Sequence, residues 1–577
     1  MAELLWCVGR RGNDKAARFL DRAFSVCGVL MRHSRGEGRP GQGRQPTRGR
    51  GPVTSSIWVR LDAILHGIAS FLSASGKTSS WVLLMIFVAI ACFSAIIPPF
   101  QSPDEFDHIA RAYLLGKGSI ILETPSGSAS GGMIDSGLAE YMKVYEALPF
   151  HPERKVSACE VATAGAIGWT GHKVFRAAPG TGYYFPLIYL PQTIALVLGE
   201  HLGLSVDASY HLARILAILA IAVLLAVSFS IYNVSPLTIA LLVMPMSLFQ
   251  MSSASIDGIS TALAIFSVSV FLRMATDKEL FDTWQYYALA LSVALLATSR
   301  IHLLSLLLLV FYVCYYRRKP RNFIIWALLL FFVALWIVVA VLNTVDTRIL
   351  LGATPSTIFV YYLKNPFMFF RVLFDTILSG DRIQFYIHSF FGILGWVDTL
   401  FSYEIYPVFI YPLILVGLLS ISPARSRPER TARLVVFSCA VLSILLMFFA
   451  LLVTWTPHPA RMIEGVQGRY FLVPMIFISY AISGGGKLDA GLLRRIALVV
   501  LLLLGLYTVV HTSWLLVKRY YLADAPPGIP FFLDEDASVS GKDLAAGPLA
   551  VPAVQAGPLR APDLAGARPW PEAGRDD

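Results

Sequence analysis

The chain has 577 residues, of which 56% are hydrophobic and only 15% are charged. With a mean hydropathy of +0.63, this composition is far from that of a soluble protein and indicates a membrane as the main solvent. The formal net charge is +10, but residues 1–60 hold twelve Lys or Arg against four acids and so supply +8 of it. The charge is therefore no sign of nucleic-acid binding.

Most of that charge precedes the first apolar window. Residues 1–56 are basic and predict a disordered extension, and residues 57–80 are predicted to form an amphipathic helix. The window at 81–99 follows, without the short apolar core and cleavage site of a signal peptide. Because a basic segment before a first span tends to stay inside, we expect a cytoplasmic N-terminus.

Apolar windows recur to about residue 516, each near the ~20 residues that cross ~30 Å of hydrocarbon. Only helices or closed barrels satisfy a backbone in lipid, and these windows lack the alternation of barrel strands. The sequence therefore predicts an all-α polytopic membrane protein with about 11 transmembrane helices (range about 10–13). The predicted spans are 81–99, 208–231, 236–252, 255–273, 284–299, 301–316, 322–342, 405–421, 434–454, 470–483 and 492–516.

Basic clusters test the orientation of these spans. An inside start places four clusters in the cytoplasm, as the positive-inside tendency requires, whereas Lys518-Arg519 falls outside and runs against it. Counting the apolar stretch Tyr183 to Leu198 as a span would reverse every later cluster, so we interpret it as a helix lying on the outer membrane surface. The four clusters are Arg273 with Lys278, Arg317 to Arg321, Arg425 to Arg433, and Arg494-Arg495.

Three segments then lie outside the membrane, 100–207, 343–404 and 457–469, and the Pro- and Ala-rich tail 523–577 is predicted to be disordered. The six cysteines form no C-x-x-C pair, so no disulfide or zinc framework is indicated. The chain has no Walker loop, Rossmann glycine motif or H-E-x-x-H, so nucleotide hydrolysis and zinc proteolysis are unsupported. Energy for any reaction would have to arrive in the substrate.

The richest chemical pattern follows the first span. Residues 103–114 fit a surface helix in which Asp104, Asp107, His108 and Arg111 share one arc of roughly 100°. Helix capping is the alternative explanation, with Ser102 at the N-cap, Pro103 at N1 and Glu105 folding back to the Ser102 amide. An ion pair between Asp107 and Arg111, at i, i+4 spacing, would neutralise the Asp107 carboxylate as well. Asp104 remains as the unpaired carboxylate.

Two chemical uses stay open for the acidic pair Asp104 and Glu105 at the mouth of an apolar bundle. A carboxylate can accept a proton from an incoming hydroxyl. A carboxylate pair can instead hold a divalent cation, Mg²⁺ or Mn²⁺, against a phosphate. Both uses suit group transfer from a lipid phosphate.

Further charges lie near the outer ends of the predicted spans. Asp257 and Arg300 are at membrane depth, where a charge costs at least ~2.5 kcal/mol and usually faces a cavity or partner. Helix capping by Asp257 and snorkelling by Arg300 are the alternatives. Arginine grips a diphosphate through its planar fork of donors, although solvated loop charge is the alternative in the outer segments. Those segments contribute Arg382, Trp396, Asp398 and Arg469.

Four short motifs together resemble the bacterial membrane family known as domain of unknown function 2142. The resemblance covers roughly residues 80–515. The motifs are Pro98-Pro99-Phe100-Gln101-Ser102-Pro103-Asp104-Glu105 with His108 and Arg111-Ala112-Tyr113; Ser255-Ile256-Asp257-Gly258; Phe391-Gly392 with Gly395-Trp396-Val397-Asp398; and Gly468-Arg469-Tyr470-Phe471 with Pro474.

That family looks like a branch of the GT-C superfamily, whose members use polyprenyl-phosphate sugars and carry an acidic motif in the first outer loop. The resemblance implies a GT-C-like fold, a base or metal-binding role for Asp104 and Glu105, and less defined roles for Asp257, Asp398 and Arg469. One departure concerns the stretch Gly182-Tyr183-Tyr184-Phe185-Pro186, which lacks the Lys or His and double Pro of several GT-C branches. The sugar and the acceptor are therefore not indicated.

Our hypothesis from the sequence is an inverting transfer of a sugar from a polyprenyl-phosphate carrier onto a cell-envelope glycan or lipid, at the outer face of a bacterial cytoplasmic membrane. Asp104 would deprotonate the acceptor, Glu105 would orient it or share a cation, and Arg469 with Arg300 or Arg382 would hold the phosphate. A transporter or flippase of lipid-linked sugar, and a polymerase or ligase of glycan chains, remain alternatives. The residues expected to bind substrate are Asp107, His108, Arg111, Asp257, Arg300, Arg382, Trp396, Asp398 and Arg469.

Overall fold

A computed structural model describes residues 77–276, 283–485 and 491–522. The predicted basic extension 1–56, most of the predicted amphipathic helix 57–80 and the tail 523–577 lie outside these described residues. Within them the chain is mostly helical with only four short strands, which confirms the predicted all-α class.

Seven helices of the described chain are long and apolar enough to cross a membrane. All seven coincide with predicted spans, so the chain is a multi-pass membrane protein. They are α1 (Lys77–Ile96), α6 (Val206–Ile231), α9 (Asp257–Thr276), α12 (Pro320–Asn343), α16 (Tyr406–Ser420, extended by the 3₁₀ turn Tyr403–Ile405), α17 (Arg427–Thr454) and α19 (Leu492–Tyr520).

The other four predicted spans form shorter apolar helices. The segment predicted as 236–252 is broken, because Pro245 lacks an amide hydrogen and holds Met244 in an extended conformation between two seven-residue helices. The four segments contain α7 (Pro236–Leu242) with α8 (Pro245–Met251), α10 (Thr283–Ser299), α11 (Leu307–Arg317, after the 3₁₀ turn Ile301–Leu306) and α18 (Leu472–Ser483).

Central position distinguishes α9 from the other spans. Of its most apolar window, 89% is buried inside the protein, against 22–44% for the other six candidate spans. The outer spans expose apolar side chains such as Trp81, Leu84 and Leu328, as expected for helices that face lipid. Asp257 is the first residue of α9 and therefore lies near the centre of one end of the helical bundle.

The segments predicted to lie outside carry the remaining elements. The stretch predicted as a surface helix contains α5 (Leu190–His201), which at twelve residues is about 18 Å long and too short to span the hydrocarbon. Strands β1 (Gly131–Asp135) and β2 (Lys173–Ala177) pair antiparallel, with Gly131 opposite Ala177. The short strands β3 (Ile393–Leu394) and β4 (Thr399–Leu400) also pair antiparallel. These elements are α2 (Glu105–Gly116), β1 (Gly131–Asp135), α3 (Ser136–Tyr145), α4 (Ala158–Ala166), β2 (Lys173–Ala177), α5 (Leu190–His201), α13 (Pro355–Lys364), α14 (Pro366–Leu378), α15 (Gly380–Phe391), β3 (Ile393–Leu394) and β4 (Thr399–Leu400).

All three of these segments meet at one end of the bundle, which we call the loop end. The Ser130 amide donates to the Val345 carbonyl at 2.9 Å, and Arg382 Nη1 donates to the Ile463 carbonyl at 2.6 Å. The C-terminus of α19 lies there too, since Arg519 contacts Asp398 at 2.8 Å. The Lys518-Arg519 cluster was the one that disagreed with the positive-inside tendency. Its Arg519 forms an ion pair with Asp398 at the loop end.

Candidate functional site

The turn before α2 differs from the predicted one. The helix begins at Glu105 rather than at Pro103, and Asp104 adopts a left-handed conformation with φ 61°. Half of the predicted capping box forms, since the Ser102 amide donates to Glu105 Oε2 at 3.2 Å. The Asp104 side chain makes no capping hydrogen bond. Its carboxylate is thereby turned away from the helix and left available.

Two side chains from distant helices and loops hold this turn. Phe100 is also left-handed, with φ 63°, which is unusual for a bulky residue and costs about 1–3 kcal/mol. The Phe100 amide donates to Tyr210 Oη at 3.1 Å, and Trp396 Nε1 donates to the Phe100 carbonyl at 3.0 Å. The motif containing Trp396 therefore supports the turn that presents Asp104, and Trp396 is not placed in the charged cluster described below.

We expect Trp396→Phe to lower the free energy of unfolding by about 1 kcal/mol, because it leaves the Phe100 carbonyl without its donor while keeping an aromatic ring. Thermal unfolding of the purified protein in detergent measures this. Trp81→Phe is the matched control, since Trp81 is exposed on α1. Equal melting of the two variants would show that the bond does not support the turn.

Glu105 is a buried structural carboxylate. Its Oε1 accepts hydrogen bonds from Tyr210 Oη at 2.8 Å and from the Ala254 amide at 2.7 Å, and Arg214 Nε lies 3.6 Å away. Both Glu105 and Arg214 are buried. The predicted catalytic or metal-binding use of Glu105 is not supported, because its oxygens join the turn to α6 and to the loop before α9. The surface position predicted for α2 is also wrong, since nine of its twelve residues are buried.

Asp104 lies between two arginines. Its Oδ2 is 3.4 Å from Arg469 Nη2, and its Oδ1 is 3.9 Å from Arg348 Nη1. Arg469 Nη1 continues to Asp257 Oδ2 at 3.5 Å, and Asp257 also pairs with Arg300. The resulting aspartate–arginine cluster consists of Asp104, Asp107, Asp257, Asp346, Arg300, Arg348 and Arg469.

Exposure divides the cluster into a mouth and a floor. At the mouth, the side chains of Asp104 and Arg348 are 42% and 36% exposed. At the floor, Asp257 and Arg300 are each 13% exposed and Arg469 is 7% exposed. The floor adjoins a cavity of about 30 Å³, large enough for water but not for a sugar. A larger ligand would therefore approach from the mouth.

The charged residues of the cluster come from separate elements of the chain. Asp257 begins α9, Arg300 follows α10, Arg348 follows α12, and Arg469 lies in the 3₁₀ turn before α18. This last turn packs so closely on α15 that a Cβ on Gly468 would lie 2.0 Å from the Phe390 amide nitrogen. A glycine is required there, and it brings Arg469 to Asp104.

The pKa values of the neighbouring aspartates Asp104 and Asp107 are shifted in opposite directions. Burial by itself would raise the pKa of Asp104, but Arg469, His108, Arg348 and Arg300 together hold it below its usual value. Burial, with the adjacent negative charge of Asp104, raises the pKa of Asp107 to about 7. The neighbouring carboxyl groups are thus tuned in opposite directions, a pattern found in acid–base pairs.

His108 is a neutral neighbour of these aspartates. Burial lowers the pKa of His108 to about 3, and Arg300 and Arg469 oppose its protonation further while Asp104 favours it. Its Nδ1 is hydrogen-bonded to Tyr189 Oη at 2.8 Å. At neutral pH the imidazole therefore contributes hydrogen bonding without charge.

Besides Glu105 and Trp396, three residues predicted for the site have partners away from the cluster: Arg111, Arg382 and Asp398. Arg111 donates to the carbonyls of Ser119 and Ile120, so the predicted Asp107–Arg111 pair is wrong. Arg382 donates to a backbone carbonyl, and Asp398 pairs with Arg519. The residues that the structure does bring together with His108 are Asp104, Asp107, Asp257, Arg300 and Arg469.

Arg348 was missed by the sequence interpretation. It pairs with Asp346 at 2.7 Å, lies over the Trp455 ring at 5.1 Å, and approaches Gly180, where a Cβ would lie 2.7 Å from its Nη2. The available signal was the Asp346-Thr347-Arg348 triplet directly after a predicted span. Its position beside Asp104 depends on contacts between segments, which the triplet alone does not encode.

The described residues contain no group of three or more His, Cys, Asp or Glu side chains that could hold a metal ion. The Mg²⁺ or Mn²⁺ site considered for Asp104 and Glu105 requires both carboxylates to face one ion. Glu105 instead faces Tyr210 and Ala254, while Asp104 faces arginines. These residues do not fit that cation site.

The fold and the cluster define a polytopic helical membrane protein with a charged site at one end of its bundle. The chain matches the family described as "Predicted membrane protein (DUF2142)" over residues 84–478. The match spans more than half of the chain, which therefore belongs to this family, as the motifs predicted. No curated protein and no solved structure matches the chain.

Proposed function

We propose that this protein transfers a sugar from a polyprenyl-phosphate carrier to a hydroxyl of a cell-envelope glycan or lipid. The observation that carries the proposal is the placement of Asp104, an open carboxylate between Arg348 and Arg469 at the mouth of a membrane bundle. Arginines beside a carboxylate supply the two functions that the reaction needs. They stabilise the departing phosphate, while a carboxylate engages the incoming hydroxyl.

Each group has a stated role in this proposal. Arg469, which reaches Asp104 from the floor, and Arg348, at the mouth, hold the donor phosphate. Asp257 pairs with both Arg300 and Arg469 and so orients the floor arginines. The acceptor hydroxyl approaches Asp104 and Asp107. The sugar is displaced from the phosphate with inversion, and the GT-C resemblance of the motifs supports a lipid-linked donor.

The same proposal places the loop end on the outer face of a bacterial cytoplasmic membrane, with the N-terminus inside. The four basic clusters at the other ends of the predicted spans support this orientation. At that face lipid-linked sugars, rather than nucleotide sugars, are the available donors.

Mass spectrometry of a deletion strain tests the proposal. We expect a polyprenyl-phosphate sugar to accumulate and an envelope glycan or lipid to lose a substituent. Wild type restores both profiles, and so does Asp381→Asn, because Asp381 is an exposed aspartate on α15 outside the cluster. Asp104→Asn restores neither. Unchanged lipid and glycan profiles in the deletion strain would refute sugar transfer.

A flippase for lipid-linked sugar is the second candidate, and the broken pair α7 and α8 favours it, since interrupted helices are common in transporters. The location of the aspartate–arginine cluster at only one end of the bundle favours sugar transfer. Detergent-solubilised protein separates the two, because it can move a sugar to an acceptor but cannot transport across a bilayer. Covalent transfer in detergent supports the enzyme, and flux in vesicles without transfer supports the flippase.

A further inference from the structure

Asp107 is the carboxyl group whose situation changes most between sequence and structure. The helical spacing paired it with Arg111, but Arg111 is buried and donates to the carbonyls of Ser119 and Ile120. Among the described residues, the ion-pair partner of Asp107 is Arg348, with Nη1 at 3.9 Å from Oδ2. No described group donates a hydrogen bond to it within normal geometry. Its lone pairs are therefore free at the mouth, where the side chain is 20% exposed.

Asp104 is in the opposite situation. One of its oxygens faces Arg469 and the other faces Arg348, so both are in the field of a guanidinium group. A carboxylate stabilised in this way is a weak base, because taking up a proton forfeits attraction to two cations. The same contacts make it well suited to holding the two arginines in position.

Burial is the main reason why Asp107 holds a proton more readily than an ordinary aspartate. The negative charges of Asp104 and Asp346 raise its pKa further, whereas Arg348 and Arg176 lower it. Both arginines are already engaged, Arg348 with Asp346 at 2.7 Å and Arg176 with Glu146 at 2.9 Å. Tyr189 also faces Asp107, and its phenol is neutral because burial raises its pKa well above the usual value. A group that gains and loses a proton near neutral pH is an efficient general base.

Resting on the sugar transfer proposed above, we infer that Asp107, rather than Asp104, accepts the proton of the acceptor hydroxyl, and that Asp104 is the positioning residue for Arg348 and Arg469. The O–H bond of the acceptor breaks and its proton passes to an Asp107 oxygen. The freed electron pair forms a bond to the anomeric carbon. The bond from that carbon to the phosphate oxygen breaks, and its electron pair remains on the phosphate facing Arg469.

The pH dependence of the transfer rate tests this assignment. The lipid-linked sugar that accumulates in the deletion strain serves as donor, and purified protein in detergent is assayed from pH 5 to 9. A base must be deprotonated to act, so the wild-type rate rises with pH through about 7 and then levels off. Asp107→Asn lowers kcat by about 10²–10⁴-fold and removes this rise. Asp107→Glu keeps the rise because it keeps a carboxyl group.

Two neighbouring substitutions move the midpoint of the rise in opposite directions. Arg348→Gln removes a cation that lowers the pKa of Asp107, so the midpoint moves to higher pH. Asp346→Asn removes an anion that raises this pKa, so the midpoint moves to lower pH. A purely structural effect would lower the plateau without moving the midpoint.

Outcomes for the two proposals are distinct. If wild type transfers no sugar at any pH, the proposed function fails. If wild type transfers sugar but Asp107→Asn keeps both its rate and the pH-dependent rise, only the role of Asp107 is refuted. Midpoints that move in the same direction for both neighbouring variants would also refute it.

Discussion

Asp104→Asn is expected to lower the rate of sugar transfer by about 10²–10³-fold while leaving the folded protein intact. The amide has the same shape and keeps the left-handed turn, which Asn tolerates well. It removes the charge between Arg348 and Arg469, so the two guanidinium groups lose the anion that holds them on either side of the reaction centre. The assay uses purified protein in detergent with the accumulated lipid-linked sugar.

The same variant carries a second readout. The negative charge of Asp104 raises the pKa of Asp107, so its removal should move the pH-dependent rise of any residual activity to lower pH. Asp381→Asn, outside the cluster, should change neither rate nor pH dependence. Full activity of Asp104→Asn would contradict the role given to the cluster, whichever aspartate takes the proton.

Glu105→Ala is expected to act on folding. It leaves Arg214 buried without a counter-charge and removes the acceptor of Tyr210 and of the Ala254 amide. Removing one partner of a buried ion pair costs about 3–5 kcal/mol, a large part of the stability of a typical domain. We therefore expect little folded protein in the membrane and a clearly lower melting temperature in detergent.

A double variant separates folding from chemistry at this position. Replacing Arg214 with Met in the Glu105→Ala background removes the unpaired buried charge and should restore part of the stability. The recovery is incomplete because Arg214 also donates to the carbonyls of Ile97 at 2.7 Å and Pro98 at 2.8 Å. If Glu105→Ala instead melts like wild type but transfers no sugar, Glu105 belongs to the catalytic machinery after all.

The contacts of Glu105 could be predicted from the sequence only in part. The pattern Ser102 to Glu105 correctly predicts that the Glu105 carboxylate reaches the Ser102 amide, since this contact is local. It does not reveal that Tyr210, Arg214 and Ala254 occupy the same carboxylate. Those partners are brought in by α6 and by the loop before α9, and the short motif encodes neither.

The same limit applies to the arginines. A helical wheel pairs Asp107 with Arg111, but in the folded chain the Arg111 guanidinium donates to the backbone carbonyls of Ser119 and Ile120, beyond the end of α2. Arg348 takes its place from a different segment. Arg382 looked equivalent to Arg469 by composition and loop position, yet only Arg469 is carried to Asp104, because Gly468 lets its turn pack directly on α15.

By itself the sequence determined the helical membrane class, the seven long spans and the four family motifs, because apolar length and short residue patterns are local properties of a chain. The tertiary structure alone decided which charges meet. Asp104 and Arg469 are 365 residues apart in sequence, yet their side chains lie 3.4 Å apart. Exposure, pairing and pKa depend on such through-space distances. The candidate acid–base residues are therefore Asp104 and Asp107, which lie among three arginines from three separate segments, rather than the adjacent pair Asp104 and Glu105.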